Sequence, residues 1–306
     1  TKYLIQTGLP YSQAYMEQLL ADHAPLARLL VRLFETRFDP QLDDAKRRSE
    51  EIKLAQELDA TLDKVASLDG DRVLRAFLSV VRAGLRTNYY QSTPAGERKT
   101  YVSLKLDPAK VPELPLPRPK FEIFVDAPEV EGIHLRGGKV ARGGLRWSDR
   151  REDFRTEILG LVKAQTVKNA VIVPTGAKGG FYAKQLPDPA ADRSAWMAEG
   201  IASYKTFIRG LLDITDNLVT TTAGEQLLPP ADVVRHEDAE SSLAVAAAQG
   251  PASVSDIANG LAADYGHRPR EPLASRGSEV HGPQARGIHD RGGWERWRRT
   301  VAHRSV

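Results

Sequence analysis

The N-terminal part of the chain repeats apolar residues at steps of three and four, which is the period of an amphipathic helix. This pattern predicts one helix over residues 12–38, with Ser12 as its N-cap, and further helices over residues 42–68 and 73–88. No polar cluster interrupts the apolar faces of these helices. We therefore interpret residues 1–92 as a helical connector region and assign them no chemistry.

The pattern changes after a linker at residues 91–96. Residues 101–106 and 121–126 alternate apolar and polar positions, as half-buried strands do. Residues 132–136 form a third candidate strand, and the Gly137-Gly138 pair after it is typical of a hairpin turn. A sheet is therefore predicted to begin in this region.

Helical and strand patterns alternate in the next part of the chain. A helix is predicted over residues 150–168 with a cap at Asp149, followed by a short strand at 171–173 and a glycine-rich loop at 176–180. The remaining elements are a helix at 191–217, strands at 232–235 and 243–246, and a helix from a cap at Ser255. Together they predict an α/β fold, with a mixed-sheet domain over residues 93–266 that carries the binding or catalytic site.

Composition narrows the class of protein. The chain has 306 residues, 41% of them hydrophobic, and no cysteine, so it has material for a packed core but none for a disulfide or a thiolate metal site. No apolar run reaches the ~18 residues of a membrane span, and no signal peptide precedes the first helix. We therefore expect a cytoplasmic protein without a membrane partner. Because the sequence begins at Thr1, we interpret it as part of a longer polypeptide.

Residues 267–306 differ from the rest of the chain because they are rich in arginine, glycine and histidine and poor in aliphatic residues. Such a segment buries little apolar surface, so a degraded or disordered tail is expected. Nucleic-acid binding by its arginines is the alternative. A few acidic residues accompany them, and the net charge of +3 is small, so we expect no nucleic-acid partner.

Candidate chemistry concentrates in residues 137–180, where cations and glycines gather around one predicted helix and strand. Lys168 ends the helix, and Lys178 follows ten residues later within a Gly-Ala-Lys-Gly-Gly segment whose N–H groups suit an anion. Desolvation and mutual repulsion would lower the pKa of such paired lysines, as a general base requires. Arg142 would add a forked contact to a carboxylate. The alternative is that these lysines are solvated and the glycines form turns.

Other chemistries lack their sequence signatures. The Gly-Ala-Lys-Gly-Gly segment has neither the spacing nor the Ser or Thr of a phosphate-binding loop, and no G-x-G-x-x-G occurs in the chain. No metal-ligand spacing and no nucleophile elbow is present. An anionic small molecule is therefore the predicted ligand.

Three motifs, ARGGLRW at 141–147, QTVKN at 165–169 and VPTGAKGG at 173–180, closely resemble the substrate domain of glutamate dehydrogenases. The large bacterial NAD-specific members are similar at further segments, namely ARLLVRLFE at 27–35, YKTFIRGLLD at 204–213, PPADVVRH at 229–236 and SDIANG at 255–260. This resemblance implies a substrate-binding domain of the glutamate dehydrogenase type behind a helical region. It also implies NAD as the cofactor, L-glutamate, 2-oxoglutarate and ammonia as reactants, and a homo-oligomer as the intact enzyme.

The resemblance implies a role for each matched residue. Arg142 and Lys168 would hold the substrate carboxylates, and Gly143, Gly144 and Gly179 complete the substrate-binding set. Lys178 would be the catalytic lysine, which activates water during interconversion of the imino acid and 2-oxoglutarate. The resemblance therefore implies the same arrangement as the residue pattern, namely cations that bind the substrate carboxylates and a lysine with a lowered pKa.

Two departures from the family limit the expected activity. Ala248 stands where the family has a proton-transferring aspartate, and loss of a general acid or base costs ~10²- to 10⁴-fold in rate. The sequence also offers no complete Rossmann domain for NAD. We therefore interpret the chain as a fragment of an NAD-dependent glutamate dehydrogenase that is weak or inactive alone. A non-catalytic dicarboxylate or amino-acid binding module is the alternative.

Overall fold

The computed structural model describes residues 1–138, 143–169, 176–221, 224–238, 246–247 and 252–266. The predicted strand at 171–173, most of the one at 243–246 and the tail at 267–306 lie outside the described residues. Among the helices that are described, none combines the length and apolarity needed to cross a membrane.

Five helices precede the sheet: α1 Lys2–Gln6, α2 Gln13–Asp22, α3 Ala24–Phe38, α4 Asp44–Leu62 and α5 Leu68–Ala83. Ser12 caps α2 as predicted, with its Oγ accepting from the backbone N–H of Tyr15 at 3.2 Å. The single helix predicted over residues 12–38 is instead two, because His23 leaves the helical conformation and Pro25 opens the first turn of α3. A proline there lacks the N–H and the space that a continuous helix needs.

The third helix differs from its prediction at both ends, since it begins at Leu68 and not at residue 73. Ser67 caps α5 through the N–H of Gly70, at 3.2 Å. Predicted to reach residue 88, the helix stops at Ala83, and Gly84–Thr87 forms strand β1. The first strand therefore lies inside the segment interpreted from sequence as helical.

Among the described residues, seven strands form a mixed sheet in the order β1-β2-β3-β4-β6-β5-β9. Neighbours from β1 to β6 are antiparallel, whereas β5 is parallel to both β6 and β9. The other strands are β2 Val102–Leu106, β3 Phe121–Asp126, β4 Val130–Arg136, β5 Gly144–Ser148, β6 Ala177–Ala183 and β9 Ala246–Ala247, and a separate hairpin joins β7 Asn217–Thr221 to β8 Gly224–Leu228. This mixed sheet confirms the predicted α/β fold class.

In the part of the chain that the structure describes, three helices cover the two faces of the sheet: α6 Phe154–Asn169, α7 Arg193–Leu212 and α8 Ala252–Asp264. On one face, Ile158 and other residues of α6 pack with Leu135 of β4. On the opposite face, Phe207 of α7 and Ala258 of α8 pack with Phe181 of β6. We call these the α6 face and the α7 face. Side chains of successive strand residues alternate between them.

Four local predictions in this domain are wrong. Helix α6 begins at Phe154, so Asp149 does not cap it, and Ser255 lies inside α8. The Gly137-Gly138 turn does not join a hairpin, because β4 pairs with β6 and not with β5. Residues 232–235 form no strand, since Asp232 adopts a left-handed conformation with φ of 55°. Turn-forming residues alone do not specify which strands become neighbours.

The helical region is attached to the sheet domain through buried polar contacts of α1 with α6. The Gln6 amide donates to the carbonyl of Arg151 and accepts from the N–H of Arg155, at 2.9 and 3.2 Å. The Arg155 guanidinium forms two 2.7 Å hydrogen bonds with Glu122 of β3, and neither side chain is exposed. Helix α6 is therefore fixed both to the sheet and to helix α1.

Candidate active site

Lys178 lies in strand β6 and not in the loop predicted for residues 176–180. The glycines that suggested a loop are required by packing instead. A Cβ atom at Gly179 would lie 2.3 Å from a methyl carbon of Leu145, and one at Gly180 would lie 2.4 Å from a methyl carbon of Ile158. The prediction of a loop is wrong because these glycines let the two faces of the sheet pack closely at this point.

The side chain of Lys178 belongs to the α6 face, since its cross-strand partner on β4 is Leu135. Lys178 is half-buried, and burial lowers the pKa of its ammonium group below the ordinary lysine value of 10.5. The direction and the desolvation agree with the prediction from sequence, whereas the predicted repulsion by Lys168 remains a prediction. A lowered pKa is the direction of shift that a lysine acting as a base needs.

Gly144 opens strand β5 beside Lys178, and Gly143 directly precedes that strand. The register of Leu145 with Gly179 makes Gly144 the neighbour of Lys178 across the parallel pair. A Cβ atom at Gly143 would lie 1.2 Å from the carbonyl oxygen of Ala177, so the two backbones are in direct contact. The structure therefore brings Gly143, Gly144 and Gly179 together around Lys178.

The two predicted carboxylate-binding side chains remain predictions. Lys168 lies in the last turn of α6, which packs on the same face of the sheet as Lys178, but its side chain is outside the described atoms. Arg142 is outside the described residues. Position 248 is also outside them and follows directly after β9, whose Ala246 and Ala247 pair with the start of β5.

His134 is a residue of this region that sequence reasoning missed. It lies opposite Gly179 on β4, its side chain is 1% exposed, and within the described chain neither ring nitrogen has a hydrogen-bond partner. Burial, with a further contribution from Arg136, lowers its pKa to about 3, so the imidazole is neutral. A lone histidine in an apolar strand pattern gives no sequence signal for such a position.

A second missed group joins β5 to α6. Arg146 forms an ion pair with Glu157 of α6, and the Ser148 hydroxyl donates to the same carboxylate at 2.6 Å. Because side chains alternate along a strand, Arg146 and Ser148 both lie on the α6 face. This spacing was the only feature of the sequence that could have indicated the contact. These contacts fix the strand that begins with Gly144 against the helix that ends with Lys168.

Cofactor ligands are not evident in this arrangement. In the described parts of the chain, no three His, Asp or Glu side chains are grouped as they would be to hold a metal ion. No described strand-to-helix turn carries the glycine pattern that binds a dinucleotide pyrophosphate. We therefore assign no residue of this chain to NAD.

Fold and site together define an α/β substrate domain. In it, a half-buried lysine lies next to the glycines at the beginning of two neighbouring strands. The family model described as bacterial NAD-glutamate dehydrogenase, catalytic domain, matches residues 57–306. A second model, glutamate dehydrogenase helical motif 3, matches residues 1–40. The chain belongs to the bacterial NAD-glutamate dehydrogenase family, which confirms the resemblance seen in the sequence.

Curated relatives agree with this assignment. The chain is 52% identical over 294 residues to an NAD-specific glutamate dehydrogenase of Halomonas elongata, and 53% identical over 299 residues to one of Mycobacterium tuberculosis. A relative from Pseudomonas aeruginosa is 51% identical over 307 residues. These matches cover 96 to 100% of this chain but only 18 to 19% of each relative. The chain therefore spans about a fifth of the length of the proteins it matches.

Proposed function

We propose that this chain supplies the substrate-binding face of an NAD-dependent glutamate dehydrogenase, which converts L-glutamate to 2-oxoglutarate and ammonia. The observation that carries the proposal is the half-buried Lys178, with its lowered pKa, at the position of the catalytic lysine in the matched motif. Amino-acid catabolism in the cytoplasm by a homo-oligomer belongs to the same proposal, supported by the family.

In this proposal Arg142 and Lys168 bind the two carboxylates of the substrate, as the motif match implies. The neutral amine of Lys178 accepts a proton from water as the water oxygen attacks the C=N carbon of 2-iminoglutarate. Collapse of the resulting carbinolamine releases ammonia and leaves 2-oxoglutarate. The chemistry that bound NAD would supply is that of a hydride acceptor for the oxidation of the amino acid.

The closely packed start of β5 and β6 supports this role for Lys178. The contact of Gly143 with Ala177 fixes the backbone next to the lysine, and Gly144, the neighbour of Lys178 across the parallel pair, carries no side chain. A catalytic amine must be held in place relative to its substrate, because small misplacements reduce rates strongly. The glycines provide that fixed backbone without occupying the site.

The proposal predicts that the 306-residue chain binds 2-oxoglutarate, as measured by calorimetric titration. Lys168→Ala should weaken this binding by roughly tenfold or more, because a charged hydrogen bond contributes ~1.5–3 kcal/mol. Lys53→Ala is the matched control, since the Lys53 side chain is 65% exposed on α4. Equal affinity of the wild type and Lys168→Ala would contradict the proposed clamp.

A binding module without catalysis is the second candidate, and the alanine at position 248 favours it. Both candidates predict binding of 2-oxoglutarate. They differ in the reduction of NAD by L-glutamate, measured with the chain in its parent enzyme. Ala248→Asp in that enzyme should raise the rate if the chain is catalytic, and should leave the rate at background if the chain only binds.

A further inference from the structure

A second cavity lies away from Lys178 and has a volume of about 340 Å³. It opens between the loop that joins β1 to β2, the C-terminal ends of α7 and α8, and the loop after β8. Strand β6, which carries Lys178, is the fifth strand from the β1 edge. Among the described residues that line the cavity, none belongs to β4, β5 or β6. The cavity is therefore distinct from the candidate active site.

A buried carboxylate forms the floor of this cavity. Asp213 is 2% exposed and accepts at Oδ1 from the Lys99 ammonium at 2.6 Å and from the Tyr265 hydroxyl at 2.8 Å. Its Oδ2 accepts from the Asn88 amide at 2.9 Å. The charge of Asp213 is thus compensated by Lys99, and both carboxylate oxygens have partners.

Lys99 retains capacity to bind a ligand. An ammonium group has three N–H donors. Within the described part of the chain, Lys99 uses them on two acceptors, Asp213 and the Gln91 side-chain oxygen, the latter at 2.8 Å. Its side chain is only 14% exposed and lines the cavity. The third N–H can therefore donate to an oxygen atom inside the cavity from a partly desolvated position.

Asp232 places a second acid on the rim. Its left-handed conformation, with φ of 55°, is unfavourable for most residues but tolerated by aspartate. Gln91 holds the preceding residue in place, because its Nε2 donates to the carbonyl oxygens of Ala231 and Asp213, at 2.9 and 3.0 Å. The loop is thereby fixed in a geometry that adds a negative charge to a cavity otherwise balanced in charge.

The remaining wall is apolar. Leu212, Leu228, Pro229 and Pro230 contribute to it. The cavity thus presents an ammonium donor, a carboxylate and an apolar surface, within a volume at the lower end for small-molecule sites. A ligand that matches all three has a carboxylate, an ammonium group and a short hydrocarbon side chain.

We propose that this cavity binds a small zwitterionic molecule with an apolar side chain, of the size of valine. Its carboxylate accepts from Lys99, its ammonium group pairs with Asp232, and its side chain packs on Leu228 and Pro229. Binding leaves the charge of the cavity unchanged, because the ligand carries no net charge. The assignment is independent of the catalytic role proposed for Lys178.

Calorimetric titration of the 306-residue chain with L-valine, L-isoleucine and L-methionine tests this assignment. At least one of them should bind, and Asp232→Asn should weaken that binding by about tenfold, since asparagine keeps the left-handed backbone but loses the charge. Two analogues of valine test the two charged contacts separately: 3-methylbutanoate lacks the ammonium group, and isobutylamine lacks the carboxylate. Each should bind more weakly than L-valine. Asp232→Gly is a second variant that preserves the backbone conformation.

Lys178→Ala is the control that locates the binding. It should leave the affinity for the zwitterion unchanged, because Lys178 lies on another strand and on the opposite face of the sheet from α7. Three results would overturn the assignment. These are no binding of any of the three amino acids, unchanged affinity in both Asp232 variants, or loss of binding in Lys178→Ala.

Discussion

Gly143 occupies a place where a side chain does not fit, because the backbone of Ala177 lies against its Cα. Gly143→Ala is expected to destabilise the chain by about 1–3 kcal/mol or more, since neither backbone can move without shifting a strand. It should also reduce binding of 2-oxoglutarate. Urea denaturation and calorimetry measure the two effects.

Gly160 provides the matched control for this substitution. It lies in helix α6, and a Cβ atom there would meet no neighbouring atom within 4 Å. Because alanine favours a helix interior over glycine by up to ~1 kcal/mol, Gly160→Ala should stabilise the chain. If both substitutions had the same effect on stability, the close contact of Gly143 with Ala177 would be refuted.

Lys178 is expected to make stability depend on pH in a defined direction. Burial lowers its pKa in the folded chain below the 10.5 of the unfolded chain, so the unfolded state binds the extra proton between these two values. Wild-type stability should therefore rise relative to Lys178→Met as the pH increases through the lowered pKa toward 10.5. Urea denaturation of both proteins at pH 7 and pH 10 measures the difference. A difference that falls over this interval would show that the pKa of Lys178 is raised in the folded chain.

At the scale of elements, the buried ion pair of Arg155 with Glu122 holds helix α6 to the sheet. Glu122→Gln would leave the Arg155 guanidinium buried without a compensating charge, which costs about 3–5 kcal/mol. Glu50→Gln is the control, because the Glu50–Lys53 pair is exposed on α4 and such pairs contribute under about 1 kcal/mol. Urea denaturation should show a large loss for the first variant and a small one for the second. Similar small losses would mean that Arg155 finds another partner.

The elements differ in how well their sequences predicted them. Strand β2 was predictable because its apolar and polar residues alternate, and α7 because its apolar face is long. Strand β6 was not, since Gly179 and Gly180 suit a turn as well as a close contact. The choice between the two depends on Leu145 and Ile158, which approach them only in the folded chain.

The candidate site was predictable to a similar extent. Residue spacing and the family motifs identified Lys178 and the glycines beside it. His134 and the Arg146–Glu157 pair were not identified, because each depends on which strands and helices become neighbours. Strand order β4-β6-β5 is set by packing on both faces of the sheet and has no local signature in the sequence.

At the scale of the whole molecule, the chain matches less than a fifth of the length of its bacterial relatives while containing the lysine of the motif. Its own NAD-dependent oxidation of L-glutamate is expected to be little or none, because it carries Ala248 in place of the proton-transferring aspartate and no residue assigned to NAD. Spectrophotometric assay of NAD reduction by the purified chain measures this. Robust NAD reduction by the purified chain would contradict the role assigned to the aspartate that Ala248 replaces, and the view that the chain carries no residues for NAD.

The central claim, that Lys178 faces a bound dicarboxylate, is tested most directly by acylation of lysine amines with and without 2-oxoglutarate, read by peptide mass spectrometry. The account predicts that 2-oxoglutarate protects Lys178 and leaves the exposed Lys53 unaffected, and that succinamide, which lacks both charges, protects neither. Equal labelling of Lys178 with and without saturating 2-oxoglutarate would contradict the claim.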